Sequence, residues 1–320
     1  MAFLDWALQY PIIFNIGVLI ASLLVVVKAA DLLVTGAVGF AQKFGLSDTV
    51  TGFLIIGIGT SLPEFISSVM GSGIGDSGIV FGTVLGSAVV TCTLVLGIEA
   101  FVAKTLPVES KMLGVTKYLV PVFMALPIVL VLDGTLGRID GLILLAAFAG
   151  HLFMLWKREA KGVGRLHSAP LKIVWKDMFI YLGAFAALVL GARFLVYSAV
   201  ITSATIGIPT YLIALFVIGI GASIGDLMVD LKSIRAGHKG LAIGDLLSGL
   251  VVELVFILGV ISVFKPIVIE PTQVVITAAF AILPLATVLY IARKKITRTQ
   301  GAVLASVYIV FAFFQVIRAL

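Results

Sequence analysis

The sequence predicts an all-α polytopic membrane protein of ten transmembrane helices, arranged as two inverted-topology repeats of five. Three observations predict it. Of 320 residues, 61% are hydrophobic and 12% charged, about half the charge of an ordinary soluble domain. Apolar runs near the roughly 20 residues that a helical crossing needs recur along the whole chain. Between residues 32 and 97 the first half matches the second, without gaps, when 162 is added to each position.

The runs fall at 11–40, 48–72, 78–102, 113–132, 139–156, 178–204, 210–232, 240–264, 270–291 and 301–319. They are too long and too continuously apolar for the alternation of barrel strands, so they read as helices. The first follows an acidic start, Asp5, with no basic region or small-residue cleavage site, unlike a signal peptide. The single cysteine, Cys92, excludes an intramolecular disulfide framework. Of the 22 Lys and Arg, 17 fall in the loops after odd-numbered spans. The positive-inside rule then puts those loops in the cytoplasm and both termini outside. The net charge of +6 reads as these basic loops, not as a nucleic-acid surface. Compact loops point to a prokaryotic inner membrane.

The repeat sets the domain plan: 1–156 as the first five-helix unit, 157–176 as a basic cytoplasmic linker and 177–320 as the second unit. "GIGTS" at 57–61 falls on "GIGAS" at 219–223, and Gly75, Gly78 and Gly82 fall on Gly237, Gly240 and Gly244. Five spans per repeat make the second copy enter the membrane upside down. The charges agree, since "MGSGIGDSG" (70–78) has no basic residue while its partner "KSIRAGHKG" (232–240) has three. Inverted repeats with interrupted helices at the midplane are an architecture of secondary transporters.

Four acids sit within apolar spans or their starts: Glu64, Asp226, Asp245 and Glu253. A charge at the bilayer centre costs at least about 2.5 kcal/mol, so such residues usually face a polar cavity and serve function. Glu64 and Asp226 are repeat equivalents, and folding about the pseudo-two-fold axis brings both to one midplane site. Pro63 beside Glu64 predicts a helix break that frees carbonyls. Carbonyl and carboxylate oxygens together suit a hard cation. Thr60, Ser61 and Ser223 offer hydroxyls. On the next inner span "GTVLGSAVVT" (82–91) matches "GDLLSGLVVE" (244–253), so Ser87 and Thr91 line one half while Asp245 and Glu253 line the other. Plainer roles exist for several of these. Asp245 also reads as an interfacial helix-start acid, and Asp230 as either part of an ion path or the partner of Lys232 or Arg235. Lys28 with Asp31 reads as structural. His151, His167 and His238 read as solvated.

"GTSLPE" opening one inner helix, with "GxxxGS" on the next, resembles the alpha-repeat pattern of the Ca2+/cation antiporters, the group that holds the Na+/Ca2+ exchangers. "AADLLVTGA" (29–37) resembles that family's first-helix signature. The resemblance covers the whole chain. It implies coupled exchange, with the first and sixth spans rocking against the other eight to switch access. It implies Glu64 and Asp226 as paired central ligands, Glu253 as a third at a position that carries Asp or Asn in the family, and Thr91 at its mirror. Thr60, Ser61, Ser87 and Ser223 match oxygen-donating positions. The second half departs from the pattern, with Gly225 for Pro and Asp226 for Glu, and Asp245 where the family has Asn.

The expected function is therefore a secondary antiporter exchanging Ca2+ for Na+, not an enzyme, with the transported cations and the bilayer as its partners and no cofactor. Two alternatives stay open here. One is a Ca2+/H+ antiporter, since clustered carboxylates also carry protons. The other is an intramembrane aspartyl protease, because Asp226 and Asp245 each follow a glycine, although "SIGD" and "AIGD" lack the leading glycine of GxGD.

Overall fold

Inside a bilayer no water is available to backbone N–H and C=O groups, and a helix satisfies them within one segment. The computed structural model describes residues 11–43, 57–107, 116–159, 171–235, 237, 239–291 and 295–319, and these are almost wholly helical. In chain order the helices are α1 Pro11–Lys43, α2 Gly57–Thr60, α3 Leu62–Ile74, α4 Ser77–Val90, α5 Leu96–Ala103, α6 Thr116–Leu130, α7 Arg138–Glu159, α8 Leu171–Ile206, α9 Thr210–Ile213, α10 Gly219–Arg235, α11 Lys239–Val251, α12 Leu258–Phe264, α13 Pro271–Ile291 and α14 Arg298–Ala319. Wider π turns at Thr91–Val95, Ala214–Ile218 and Val252–Ile257 join α4 to α5, α9 to α10 and α11 to α12. Seven of these helical units are long and apolar enough to cross a membrane: α1, α4–α5, α8, α9–α10, α11–α12, α13 and α14. The protein is a multi-pass integral membrane protein. Residues 48–56 of the second expected span, 113–115 of the fourth and 160–170 of the linker lie outside the described residues. The helices reach into the expected linker, α7 to Glu159 and α8 from Leu171, because helical hydrogen bonding does not stop where the apolar run stops.

Burial ranks the spans. In the apolar windows of α4–α5 and α11–α12, 94% and 83% of residues are inside the protein, against 22% for α1 and for α14. The two central units thus form the axis on which the others pack. Buried apolar side chains form two clusters. The larger joins α4, α5, α11 and α12 to α6, α13 and α14. The smaller joins α1 to α8 and reaches the rest through Ile66, Ile79, Ile213, Ala214 and Ile218.

Contacts recur at the 162-residue offset. α1 lies along α8, its own sequence counterpart. α5 packs on α14, and their counterparts α12 and α7 pack on each other. Strand β1 (Thr105–Pro107) pairs antiparallel with β4 (Lys295–Thr297), and β2 (Thr135–Leu136) with β3 (Ile267–Val268), which are again equivalent pairs. Gly75 (φ 84°) and Gly237 (φ 92°) turn the chain at matching points after α3 and α10. The π turn at 91–95 has its counterpart at Val252–Ile257.

One departure from symmetry carries a test. A methyl group placed on Gly225, the counterpart of Pro63, meets nothing within 4 Å outside its own helical turns. Gly225→Ala should therefore keep the fold and add about 0.5–1 kcal/mol of helix stability, read as a higher unfolding temperature of the purified protein.

Candidate cation site

The site begins with the interruption in the first half. The helix breaks at Ser61 (φ −81°, ψ 4°), between α2 and α3. Pro63 lies in the first turn of α3, where backbone donors lack partners anyway and proline costs nothing. The expected break is real, but it falls two residues before the proline. Pro63 has no N–H to return to the carbonyl of Gly59, four residues back, while Phe65 N–H donates to the Ser61 carbonyl at 3.0 Å. Glu64 follows in the first turn of α3, where the partial positive charge of a helix start favours a carboxylate.

The second half reaches the same place without a break. α10 runs unbroken through Ser223 and Asp226, and Ser223 Oγ donates to the Gly219 carbonyl at 2.9 Å. The irregularity sits upstream, in the π turn Ala214–Ile218. Its counterpart, 52–56, lies outside the described residues. Glu253 is carried on the π turn Val252–Ile257. One extra residue in a turn re-aims the side chains around it, and such bulges are frequent at functional sites. No residue type marks these π turns in the sequence.

Two glycines bring the halves into contact. A Cβ on Gly86 would lie 2.5 Å from the Leu215 carbonyl oxygen, and one on Gly219 would lie 2.8 Å from Ser87 N. With no side chain at either position the backbones of α4 and α10 meet, and small residues permit such approach in membranes. The result is direct contact of the next hydroxyls: Ser87 Oγ lies 3.0 Å from Ser223 Oγ.

Glu64, Asp226 and Glu253 converge here, each offering an oxygen within 4.8 Å of the others. All three are buried. Ser87 Oγ faces Glu64 Oε1 at 3.0 Å and Glu253 Oε1 at 3.1 Å. One hydroxyl has one proton, so it cannot fully satisfy both acids. Thr60 bonds to Asp226. Glu64 Oε2, Glu253 Oε2 and Asp226 Oδ1 are buried and meet no donor among the described residues. Thr91 Oγ1 is likewise buried without a partner, and Ser61 Oγ faces Gly249, the counterpart of Ser87, across a small gap. No Lys or Arg side chain is buried among the described residues. Oxygens no more than 4.8 Å apart lie within about 2.8 Å of a common point, close to the roughly 2.3–2.6 Å of Ca2+–oxygen bonds.

Asp245 does not join this convergence. It is buried, but its carboxylate faces Asp230, which in turn faces Glu99. Neither oxygen of Asp230 meets a donor among the described residues, and Lys232 approaches Asp31 instead, at 3.7 Å. Lys28 also pairs with Asp31, at 3.1 Å. Glu99, near the end of the third expected span, is fully buried. Its signal was its place, four residues inside the end of an apolar helix. His151 is buried, not solvated, and meets Phe123 edge-on at 5.1 Å. His167 and His238 lie outside the described residues.

The family described as sodium/calcium exchanger protein matches residues 14–157 and 176–317. The chain is similar to the sodium/calcium exchanger MaX1 of Methanosarcina acetivorans, at 26% identity over 93% of this chain and 97% of that one. It is also similar to the inner membrane protein YrbG of Escherichia coli K12, at 29% identity over 80% and 81% of the two chains. Among solved structures it resembles the sodium-calcium exchanger NCX_Mj soaked with Na+ and zero Ca2+, with a TM-score of 0.67 and 25% identity over 93% of this chain and 98% of that one.

Proposed function

Because the chain belongs to the sodium/calcium exchanger family, we infer that it is a secondary antiporter exchanging Ca2+ for Na+ by alternating access at a midplane carboxylate site. The observation that carries this reading is the convergence of Glu64, Asp226 and Glu253 at Ser87, with no Lys or Arg buried among the described residues. Ionised carboxylates in a dry site repel one another and each costs several kcal/mol to desolvate. A transported cation removes both penalties, so the empty site favours refilling before the protein turns over.

Glu64, Asp226 and Glu253 act as the charged ligands. Ser87 and Ser223 supply hydroxyl oxygens between them, with Thr60, Ser61 and Thr91 at the rim. One divalent ion or several monovalent ions compensate the same three acids, and this competition couples the two fluxes. The acids cannot hold both sets at full charge.

The reading includes ten spanning helices in two inverted repeats, 1–156 and 177–320, joined by a basic linker. The contact pairs and strand pairs that recur at the 162-residue offset support it. Access switches by movement of α1 and α8 against the remaining helices, and the separate apolar cluster that those two share supports such a unit. A prokaryotic inner membrane, with both termini outside, follows from the compact loops and the distribution of Lys and Arg.

The test is Ca2+ uptake into proteoliposomes with the voltage clamped. Uptake should require Na+ inside the vesicles and an outward Na+ gradient. Uptake driven by a pH gradient alone would transfer the protein to H+ coupling. Uptake under neither gradient, in monodisperse protein, would remove Ca2+ as the substrate.

A further inference from the structure

The repeat places a charge at the same point of the two helices that share the smaller apolar cluster. Asp31 on α1 and Arg193 on α8 stand 162 residues apart, and their signs are opposite. Each lies within an apolar span, where a charge is costly and usually serves function. α1 packs on α10 and α8 packs on α3, which are again equivalent pairs.

At the first of these contacts two charges meet. Lys232, in the last turn of α10, reaches Asp31 at 3.7 Å, and Lys28 holds the same carboxylate at 3.1 Å. An ion pair therefore ties α1 to α10. The counterpart of Lys232 is Met70, so the second contact cannot repeat that pair. Asp76 stands there instead, just past the end of α3, and it lines one cavity with Arg193.

The cavity holds about 1270 Å3 and is otherwise mostly apolar, with Met70, Phe194 and Val200 in its walls. Arg193 is exposed and has no ion-pair partner among the described residues. Asp76 caps α4, its Oδ1 accepting from Ile79 N–H at 3.1 Å and from Thr210 Oγ1 at 3.0 Å. A carboxylate has about four acceptor sites, so this one has capacity for a guanidinium. One contact is thus closed by an ion pair. Its equivalent stands open, with opposite charges on its two walls.

We propose that these charges form two alternating latches: Asp31 with Lys232 closes the face at the end of α10, and Arg193 with Asp76 closes the opposite face once α1 and α8 have moved. The proposal rests on the reading of α1 and α8 as the moving unit. Movement that draws α8 onto α3 brings Arg193 toward Asp76 while it parts α1 from α10, so one pair forms as the other breaks. Neither pair is buried, and exposed ion pairs shift an equilibrium by roughly fivefold at most. That weakness suits a carrier, because each face must open in every cycle.

The test is a labelling rate. Cys92, the single native thiol, is buried. Gly73 lines the cavity, and a Cβ there meets nothing within 4 Å outside its own helical turns. Gly73→Cys therefore reports whether the cavity is open to a charged thiol reagent, in purified full-length protein. Adding Lys232→Met should slow labelling about two- to fivefold, because it releases the closed face. Adding Arg193→Gln to that protein should restore the rate, and so should Asp76→Asn, which keeps a helix-capping side chain. Equal rates in all four proteins, or a rate that Arg193→Gln slows further, overturn the latches. Recovery with Arg193→Gln but not with Asp76→Asn overturns their pairing. Na+-driven Ca2+ uptake by the wild-type chain is measured alongside. Equal rates with uptake present remove the latches and leave the exchange reading standing. Slowing and recovery with uptake absent uphold the latches and remove the exchange reading instead.

Discussion

Glu64→Gln should abolish Na+-driven Ca2+ uptake while leaving the protein folded. The substitution keeps the shape and one acceptor oxygen, so Ser87 retains a partner at the position it occupies 3.0 Å away. What disappears is one of three charges around the proposed ion position. Removing one member of a buried, hydrogen-bonded charge pair costs about 2–5 kcal/mol of binding, and each 1.4 kcal/mol is tenfold. Ca2+ affinity should fall on the order of 30-fold to several thousand-fold. Stability should not fall with it, because the variant relieves repulsion with Asp226 and Glu253 in the ion-free state. Binding by calorimetry and melting by light scattering separate the two. A variant that still takes up Ca2+ at the wild-type rate would remove Glu64 from the site. A variant that lost uptake only through unfolding would make its role structural. Glu253→Gln should behave similarly, since Glu253 lies against the same hydroxyl at 3.1 Å.

The apolar runs made the spanning helices legible, because a bilayer forces both composition and length on them. The repeat made the pairing of Glu64 with Asp226 legible, because equivalent positions fold to equivalent places. Glu253 was legible as a midspan acid. Asp245 shares a helical stripe with Glu253, but more than two turns and the start of the π turn at Val252–Ile257 separate them, and it stands outside the trio whose oxygens lie within 4.8 Å of one another. Sequence spacing assumes a regular helix and cannot anticipate that turn. Nothing beside Glu99 or His151 in the sequence marks burial, yet both are buried, His151 edge-on against Phe123 of another helix. Pro63 was read as the break itself. The break belongs to Ser61, and the proline begins the helix that follows.

Gly86→Ala should stop transport without touching a carboxylate. The new methyl carbon would sit 2.5 Å from the Leu215 carbonyl oxygen and 2.8 Å from Leu215 Cα, both backbone atoms that no rotamer change can move. α4 and the π turn Ala214–Ile218 would have to separate, and overpacking of this kind typically costs 1–3 kcal/mol. The larger consequence is for geometry. Ser87 is the next residue, and it holds contacts of 3.0–3.1 Å to Glu64, Glu253 and Ser223 at once. An outward shift on the order of 1 Å breaks contacts at that limit and spreads the three acids beyond reach of one ion. Gly219→Ala should fail in the same way from the other helix, its methyl carbon 2.8 Å from Ser87 N. Gly225→Ala, on the same helix but facing open space, is the control that separates crowding at the crossing from a general intolerance of α10 to alanine. Loss of Ca2+ uptake in the first two variants, with uptake kept in the third, would show that the close approach of the two halves builds the site. Full uptake by Gly86→Ala would mean that the helices can part without opening it, and that the carboxylates alone set the affinity.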